Sequence, residues 1–239
     1  MSVQDKRVIV LGGTAGIGLA TAQAAARAGA RVVVASSSDV RVQRALAALP
    51  PGSEGKVVDL SREESVRAFF DGIGPFDHLV FTAGESLRLE TLADVDLASA
   101  RRFFELRYWG AVTAAKYGAR QLRAGGSIVF TGGIAADRPQ AGWSLGASIC
   151  GAMESLTRAL AVELAPIRVN LVSPGIVRTE LWNAMGEAER TALYRDVAAR
   201  LPVGRIGEAA DIAAAFVFLM SNGYATGQTI VVDGGGTLV

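Results

Sequence analysis

The sequence predicts an α/β fold: a doubly wound, seven-stranded parallel sheet with helices on both faces. Three observations predict it. Short β-rich runs alternate with helical patterns from one end of the 239-residue chain to the other. The runs are continuously apolar rather than alternating, as in strands buried on both faces. A glycine-rich turn links the first strand to the first helix.

The elements follow in order. Residues Arg7–Leu11 (RVIVL) form the first strand. An Ala-rich helix spans about 17–28, and Gly29 supplies the left-handed residue that ends it. Residues 31–35 (RVVVA) are the second strand, and 57–58 sit in a third. Residues 77–82 (DHLVFT) and 127–131 (SIVFT) are the fourth and fifth strands. Residues 167–172 (IRVNLV) are the sixth and Thr229–Val232 (TIVV) the seventh. Helical patterns fill the intervals, as parallel neighbours require. The longest run from about 99 to 123 and from about 144 to 164. The stretch from about 173 to 207 is irregular, with a helix expected at Glu187–Arg200. No linker or internal repeat divides the chain, so residues 1–239 are expected to form one domain.

Composition narrows the function classes. Lys plus Arg number 24 and Asp plus Glu 23, with no basic block, so there is no field for gripping nucleic acid. One cysteine and one histidine exclude an intramolecular disulfide framework and leave no zinc site. The polar residues 1–7 do not read as a signal peptide, and no apolar run is long enough to span a bilayer. A cytoplasmic protein with no membrane partner is the expectation.

The turn reads Leu11-Gly12-Gly13-Thr14-Ala15-Gly16-Ile17-Gly18. Glycines between a strand and a helix let backbone approach a pyrophosphate, and the helix N-terminus offers free N–H groups and a favourable dipole. This is the context of a Rossmann-type dinucleotide site. At the end of the second strand stand Ser36, Ser37 and Ser38, with no carboxylate before Asp39. A carboxylate there would bind the ribose 2′-OH of NAD. Three hydroxyls suit a 2′-phosphate instead, so NADP(H) is favoured over NAD(H). Arg41 could add charge or be an ordinary solvated helix residue.

The glycine spacing resembles that of the short-chain dehydrogenase/reductase family, and the resemblance runs the length of the chain. Asp59, with Leu60 beside it, is similar to the family's adenine-side acidic residue. Thr82-Ala83-Gly84 stands where the family has Asn-Ala-Gly. The segment 126–131, ending at Thr131, looks like its fifth strand. Residues 168–175 match a characteristic strand and turn, which places Pro174, Gly175, Ile176, Val177 and Thr179 at the nicotinamide end. Residues 227–235 match its C-terminal signature. The resemblance implies a strand order of 3-2-1-4-5-6-7, a small-molecule substrate, a substrate-side lid at about 176–207, and a homodimer or homotetramer.

It also implies where a catalytic Asn, Ser, Tyr and Lys should stand. Those four positions hold Arg107, Gly133, Gly146 and Cys150. No Tyr lies between Tyr117 and Tyr194, and no Lys follows Lys116, so no register restores a Tyr-x-x-x-Lys pair. Some enoyl reductases of the family place the Tyr seven residues before the Lys, and that position is Trp143. Asp137 is the weak catalytic candidate, while Trp143, Trp182 and Tyr194 are candidates for the substrate side. His78 reads as structural. Two function classes follow. One is an oxidoreductase with non-standard residues, reducing an imine or another activated acceptor, with Asp137 stabilising a cation. The other is a non-catalytic NADP(H)-binding sensor or scaffold.

Overall fold

A computed structural model describes residues 2–84 and 90–239. Seven strands form one parallel sheet: β1 (Arg7–Leu11), β2 (Arg31–Ser36), β3 (Glu54–Val57), β4 (Phe76–Phe81), β5 (Leu122–Thr131), β6 (Arg168–Pro174) and β9 (Thr229–Val232). Their order is β3-β2-β1-β4-β5-β6-β9, as the sequence implied, with β9 in the seventh place. Two more strands, β7 (Val177–Arg178) and β8 (Gly207–Glu208), pair separately as a short parallel ribbon.

The alternation of side chains along each strand explains the continuous apolar runs. Ile9 and Leu11 face one layer, with Leu79, Phe81, Ile128, Phe130 and Leu171. Val8 and Val10 face the other, with Val80, Val129 and Val172. Helices α3 (Glu63–Ile73), α5 (Gly110–Gly118) and α6 (Ser144–Glu163) cover the first layer through Phe70, Ala114 and Met153. Helices α1 (Gly16–Arg27), α2 (Asp39–Ala47) and α8 (Ala209–Ser221) cover the second through Ala22, Ala45 and Phe216. Burying one such large side chain stabilises the fold by about 1.5–3 kcal/mol.

Two elements differ from the sequence reading. The third strand lies at Glu54–Val57, ahead of the buried Val58. It is an edge strand and its side chains are largely exposed, so the buried apolar pair that marks an inner strand is missing. Gly55 is its contact point: a Cβ there would lie 2.3 Å from Val42 Cγ1 on α2. The helix expected over 99–123 is broken. Helix α4 (Leu97–Phe104) passes into a π turn over Glu105–Trp109, then α5, then a 3₁₀ turn over Ala119–Gln121. The Gly110 N–H donates to Glu105 O, the five-residue step of a π turn. Where α5 begins, Gly110 passes so close to the loop between β3 and α3 that a Cβ would sit 3.0 Å from Leu60 O. Strand β5 accordingly starts at Leu122, five residues early.

The irregular stretch after β6 contains β7, a 3₁₀ turn at Glu180–Trp182, α7 (Glu187–Arg200) and β8. Its ends are tied together. Val177 pairs with Gly207 and Arg178 with Glu208, and Arg178 Nε donates to Glu208 Oε1 at 3.1 Å. Trp182, Tyr194, Val197 and Ile206 form a small core of its own. Among the described residues, no helix is long and apolar enough to cross a membrane.

Candidate functional site

A cavity of about 1160 Å³ opens at the carboxyl ends of the strands. It straddles β1 and β4, where the strand order reverses, the usual ligand crevice of open α/β sheets. Its walls can be followed from one end to the other.

The glycine turn forms one wall. Gly12 has φ +82°, and a Cβ there would lie 2.6 Å from Ala83 N. A Cβ on Gly18 would lie 2.2 Å from Gly12 O and 2.4 Å from Thr82 Oγ1. Side chains are therefore excluded where the turn, the end of β4 and α1 meet. Gly16 also has positive φ, at +48°. Ala15, the N-cap of α1, provides no side-chain cap for the first turn. The helix N-terminus thus presents backbone N–H groups and its positive dipole end to the cavity. This cradle fits a pyrophosphate, and a nicotinamide dinucleotide is the group it suits.

Ser36, Ser37, Arg41 and Arg44 line the end beside β2, with Val58, Asp59 and Leu60 opposite. Ser38 is not in the wall: it caps α2, accepting from Arg41 N at 3.4 Å. The Asp59 carboxylate accepts from Ser61 Oγ at 2.6 Å and Ser61 N at 3.0 Å, and these bonds hold it below the usual carboxylate range. Thr82 Oγ1 donates to Leu11 O at 3.1 Å, and Thr131 Oγ1 donates to Phe81 O at 2.9 Å. Both hydroxyls lock the ends of β4 and β5 beside the cavity.

The middle of the wall brings Arg107, Gly133, Gly146 and Cys150 together. Three separate elements deliver them: the π turn, the loop after β5, and α6. The Arg107 guanidinium lies against Gly84, where a Cβ would meet Cζ at 2.6 Å, and stands 4.8 Å above the Phe103 ring. Cys150 Sγ fills the space beside Gly133, 3.2 Å from where a Cβ would be. Burial pushes the Cys150 thiol up to about 11, against the pull of the Arg107 charge. It is a neutral thiol near pH 7.

The far end is made by Ile134, Trp143, Pro174, Gly175, Ile176, Val177, Thr179, Leu181 and Trp182. Thr179 Oγ1 accepts from Leu181 N at 3.4 Å, starting the turn that carries Trp182. Trp182 Nε1 donates to Val177 O at 3.0 Å, which anchors its ring.

Besides Ser38, two candidates from the sequence stand elsewhere. Asp137 is exposed and outside the wall, because the 3₁₀ turn Ile134–Ala136 carries it past the rim. Its charge acts on Cys150 and Glu154. Tyr194 is buried behind the wall, in the small core with Trp182, with the Arg178 guanidinium 4.7 Å over its ring. The sequence reading missed Arg44, Leu106, Glu180 and Asn183, which do line the cavity. For Arg44 a signal existed, because it follows Arg41 by three residues on one helix face. His78 is structural as expected: it is buried, with Nδ1 2.9 Å from Ser127 Oγ.

Comparison with known proteins bears on the same cavity. The family model described as enoyl-(acyl carrier protein) reductase matches residues 12–237. The short-chain dehydrogenase/reductase ucsE of Acremonium sp is 36% identical over 252 residues, covering 98% of this chain and 96% of its own. A crystal structure of a small-chain dehydrogenase in complex with NADPH is 38% identical, covers 99% of this chain and 100% of its own, and superposes with a TM-score of 0.85. The MalC reductase/Diels-Alderase of Malbranchea aurantiaca is 30% identical, with a TM-score of 0.90 over 99% of this chain and 98% of its own. The glycine cradle, the strand order and these relatives lead to one assignment: the chain belongs to the short-chain dehydrogenase/reductase family of oxidoreductases.

Proposed function

We propose that this chain is an NADP(H)-dependent oxidoreductase that reduces an acceptor already activated for hydride attack, without the family's Asn-Ser-Tyr-Lys set. The observation that carries the reading is the composition of the cavity's middle wall, where Arg107, Gly133, Gly146 and Cys150 meet. When bound, the dinucleotide supplies a hydride. The glycine turn and the α1 N-terminus hold its pyrophosphate. Ser36 and Ser37, with Arg41 and Arg44, receive the 2′-phosphate. Asp59 and Leu60 flank the adenine, and Pro174, Gly175, Ile176, Val177 and Thr179 hold the nicotinamide end. Residues 176–207 cover the substrate side as a lid.

The chemistry open to the wall follows from its groups. A guanidinium keeps its proton at physiological pH, so Arg107 donates hydrogen bonds but passes on no proton. Cys150, pushed up to about 11 by burial, is a neutral thiol and no base at pH 7. The wall therefore stabilises negative charge as it develops and leaves protonation to water. An unactivated ketone gains about 10²–10⁴-fold from a positioned acid, which this wall lacks. An α,β-unsaturated or quinone-like carbonyl needs it less, and its oxyanion would sit against Arg107. Asp137, the carboxylate expected to stabilise a cationic iminium, is exposed outside the wall. The MalC neighbour, a reductase/Diels-Alderase, supports a reductase.

NADPH oxidation measured with a conjugated enone, a quinone, a cyclic imine and a simple ketone tests the reading. We expect turnover on the first two. Arg107→Ala should lower kcat/KM about 10²-fold, with Arg107→Lys partly restoring it and NADPH affinity unchanged. Turnover of the imine alone, indifferent to Arg107, overturns the role given to this residue. Tight NADPH binding with no turnover on any acceptor establishes the non-catalytic reading instead.

A further inference from the structure

We infer that the acceptor end of the cavity is built for a flat, conjugated ring, received against the indole of Trp143. This rests on the proposed function for the position of the nicotinamide, but the ring site itself is made of this chain's own residues.

The two indoles lie with centroids 6.4 Å apart and planes inclined at 44°. Both line the cavity. Trp182 is 4% exposed and tied through Nε1 to Val177 O, so it is a fixed wall. Trp143 precedes the first turn of α6 and is only half-buried, so part of its ring remains open to the cavity. Leu106, Ile134 and Leu181 complete an apolar rim.

Gly133 and Gly146 line the same cavity, and the room beside Gly133 is taken by Cys150 Sγ. The two hydroxyls at the ends of β4 and β5 are committed to backbone carbonyls. A ligand here meets the two indoles and the Leu106, Ile134 and Leu181 side chains, with Thr179, Glu180 and Asn183 as polar groups of the same lining and the Arg107 guanidinium also in the wall. Aromatic rings recognise one another by offset or edge-on contact at centroid distances of about 4.5–7 Å, the range already used by the tryptophan pair. A saturated ring of the same outline is thicker and has no quadrupole to match. The selected class is therefore a planar conjugated ring bearing its acceptor carbonyl toward Arg107.

The test is calorimetric, on the full chain with and without NADP⁺, using 2-acetylnaphthalene and its saturated counterpart 2-acetyldecalin. We expect the planar ketone to bind about tenfold more tightly. Trp143→Ala should abolish that preference and Trp143→Phe should retain most of it. Equal affinity of the wild-type chain for the two ketones overturns the inference, as does a preference that survives Trp143→Ala. Because the wild-type comparison is decisive by itself, a poorly folding variant does not rescue the idea. NADP⁺ affinity, titrated separately, distinguishes the two claims. Its absence defeats the proposed function while the ring preference stands or falls on the cofactor-free titration.

Discussion

Gly12→Ala and Gly16→Ala make a matched pair, because both glycines have positive φ but only one is crowded. At Gly12, φ is +82° and the new Cβ would lie 2.6–2.8 Å from three backbone atoms of Thr82 and Ala83. Backbone on the adjoining strand end has no rotamer through which to escape. The left-handed conformation costs about 1–2 kcal/mol for a residue with a Cβ, and forcing a methyl into a filled space costs about 1–3 kcal/mol more. Ala also restricts the unfolded chain, which returns about 0.4–1 kcal/mol. The net destabilisation is about 2–4 kcal/mol. At Gly16, φ is +48° and the nearest atom to a Cβ is Thr179 Cβ at 3.4 Å, an ordinary contact. Only the conformational cost remains there, about 1 kcal/mol. Urea unfolding reads the difference: with m about 3 kcal/mol/M, Gly12→Ala should fall below Gly16→Ala by roughly 0.5–1 M in midpoint. NADPH titration reads the other half. Gly16 opens α1 and faces the cavity, so its methyl should weaken NADPH at least about tenfold despite the milder stability loss. Coincident midpoints, or a Gly16→Ala chain that binds NADPH normally, would refute the reasoning that one glycine serves packing and the other the ligand.

Three further outcomes are expected. Ser36→Asp puts a carboxylate at the end of β2, and should weaken NADPH about tenfold or more while improving NADH; unchanged NADPH affinity in a direct titration would contradict the assignment of Ser36. His78 is pushed down to about 4, first by burial and then by the Arg168 charge. Its neutral form belongs to the folded state, so the unfolded chain binds the extra proton between pH 6.5 and about 4 and stability is lost as pH falls through that window. The loss should approach about 3 kcal/mol in acid-limb denaturation curves, and His78→Gln should flatten them. Burial raises the Cys150 thiol to about 11, so native alkylation by iodoacetamide at pH 8 should run about a hundredfold slower than in the urea-unfolded chain.

The sequence exposed the sheet because its inner strands are apolar on both faces, and Val8 to Leu11 could be read without knowing their neighbours. It blurred β3 because an edge strand answers to one neighbour, β2, and to the helix resting on Gly55. It hid the π turn at Glu105–Trp109 because one inserted residue leaves local helical propensity intact and is decided by the close approach of Gly110 to the Leu60 carbonyl. Within the site, the glycine cradle was legible from spacing, since backbone geometry alone requires those residues. Asp137 and Tyr194 were misplaced for a different reason. Their positions depend on a 3₁₀ turn and on a separately packed small core around Trp182, and neither follows from proximity in the chain.

The two parts of the site differ in how tightly their geometry is set. The cradle is over-determined: Gly12, Gly18 and Thr82 meet at distances that admit no added atom. The middle wall is assembled from separate elements through single side chains, with Cys150 Sγ of α6 against Gly133 and Arg107 of the π turn against Gly84 after β4. A Cβ on Gly133 would press on that sulfur at 3.2 Å, so the Gly133→Ser substitution alone sets its new side chain against Cys150. The two positions are coupled: a serine replacing Gly133 becomes compatible only if the side chain at position 150 shortens or turns away. Gly133→Ser should therefore cost more stability alone than in combination with Cys150→Ala, with a coupling of about 0.5–3 kcal/mol expected for residues in contact. Strict additivity in that double-mutant cycle would show that the middle wall, unlike the cradle, is a set of independent sites.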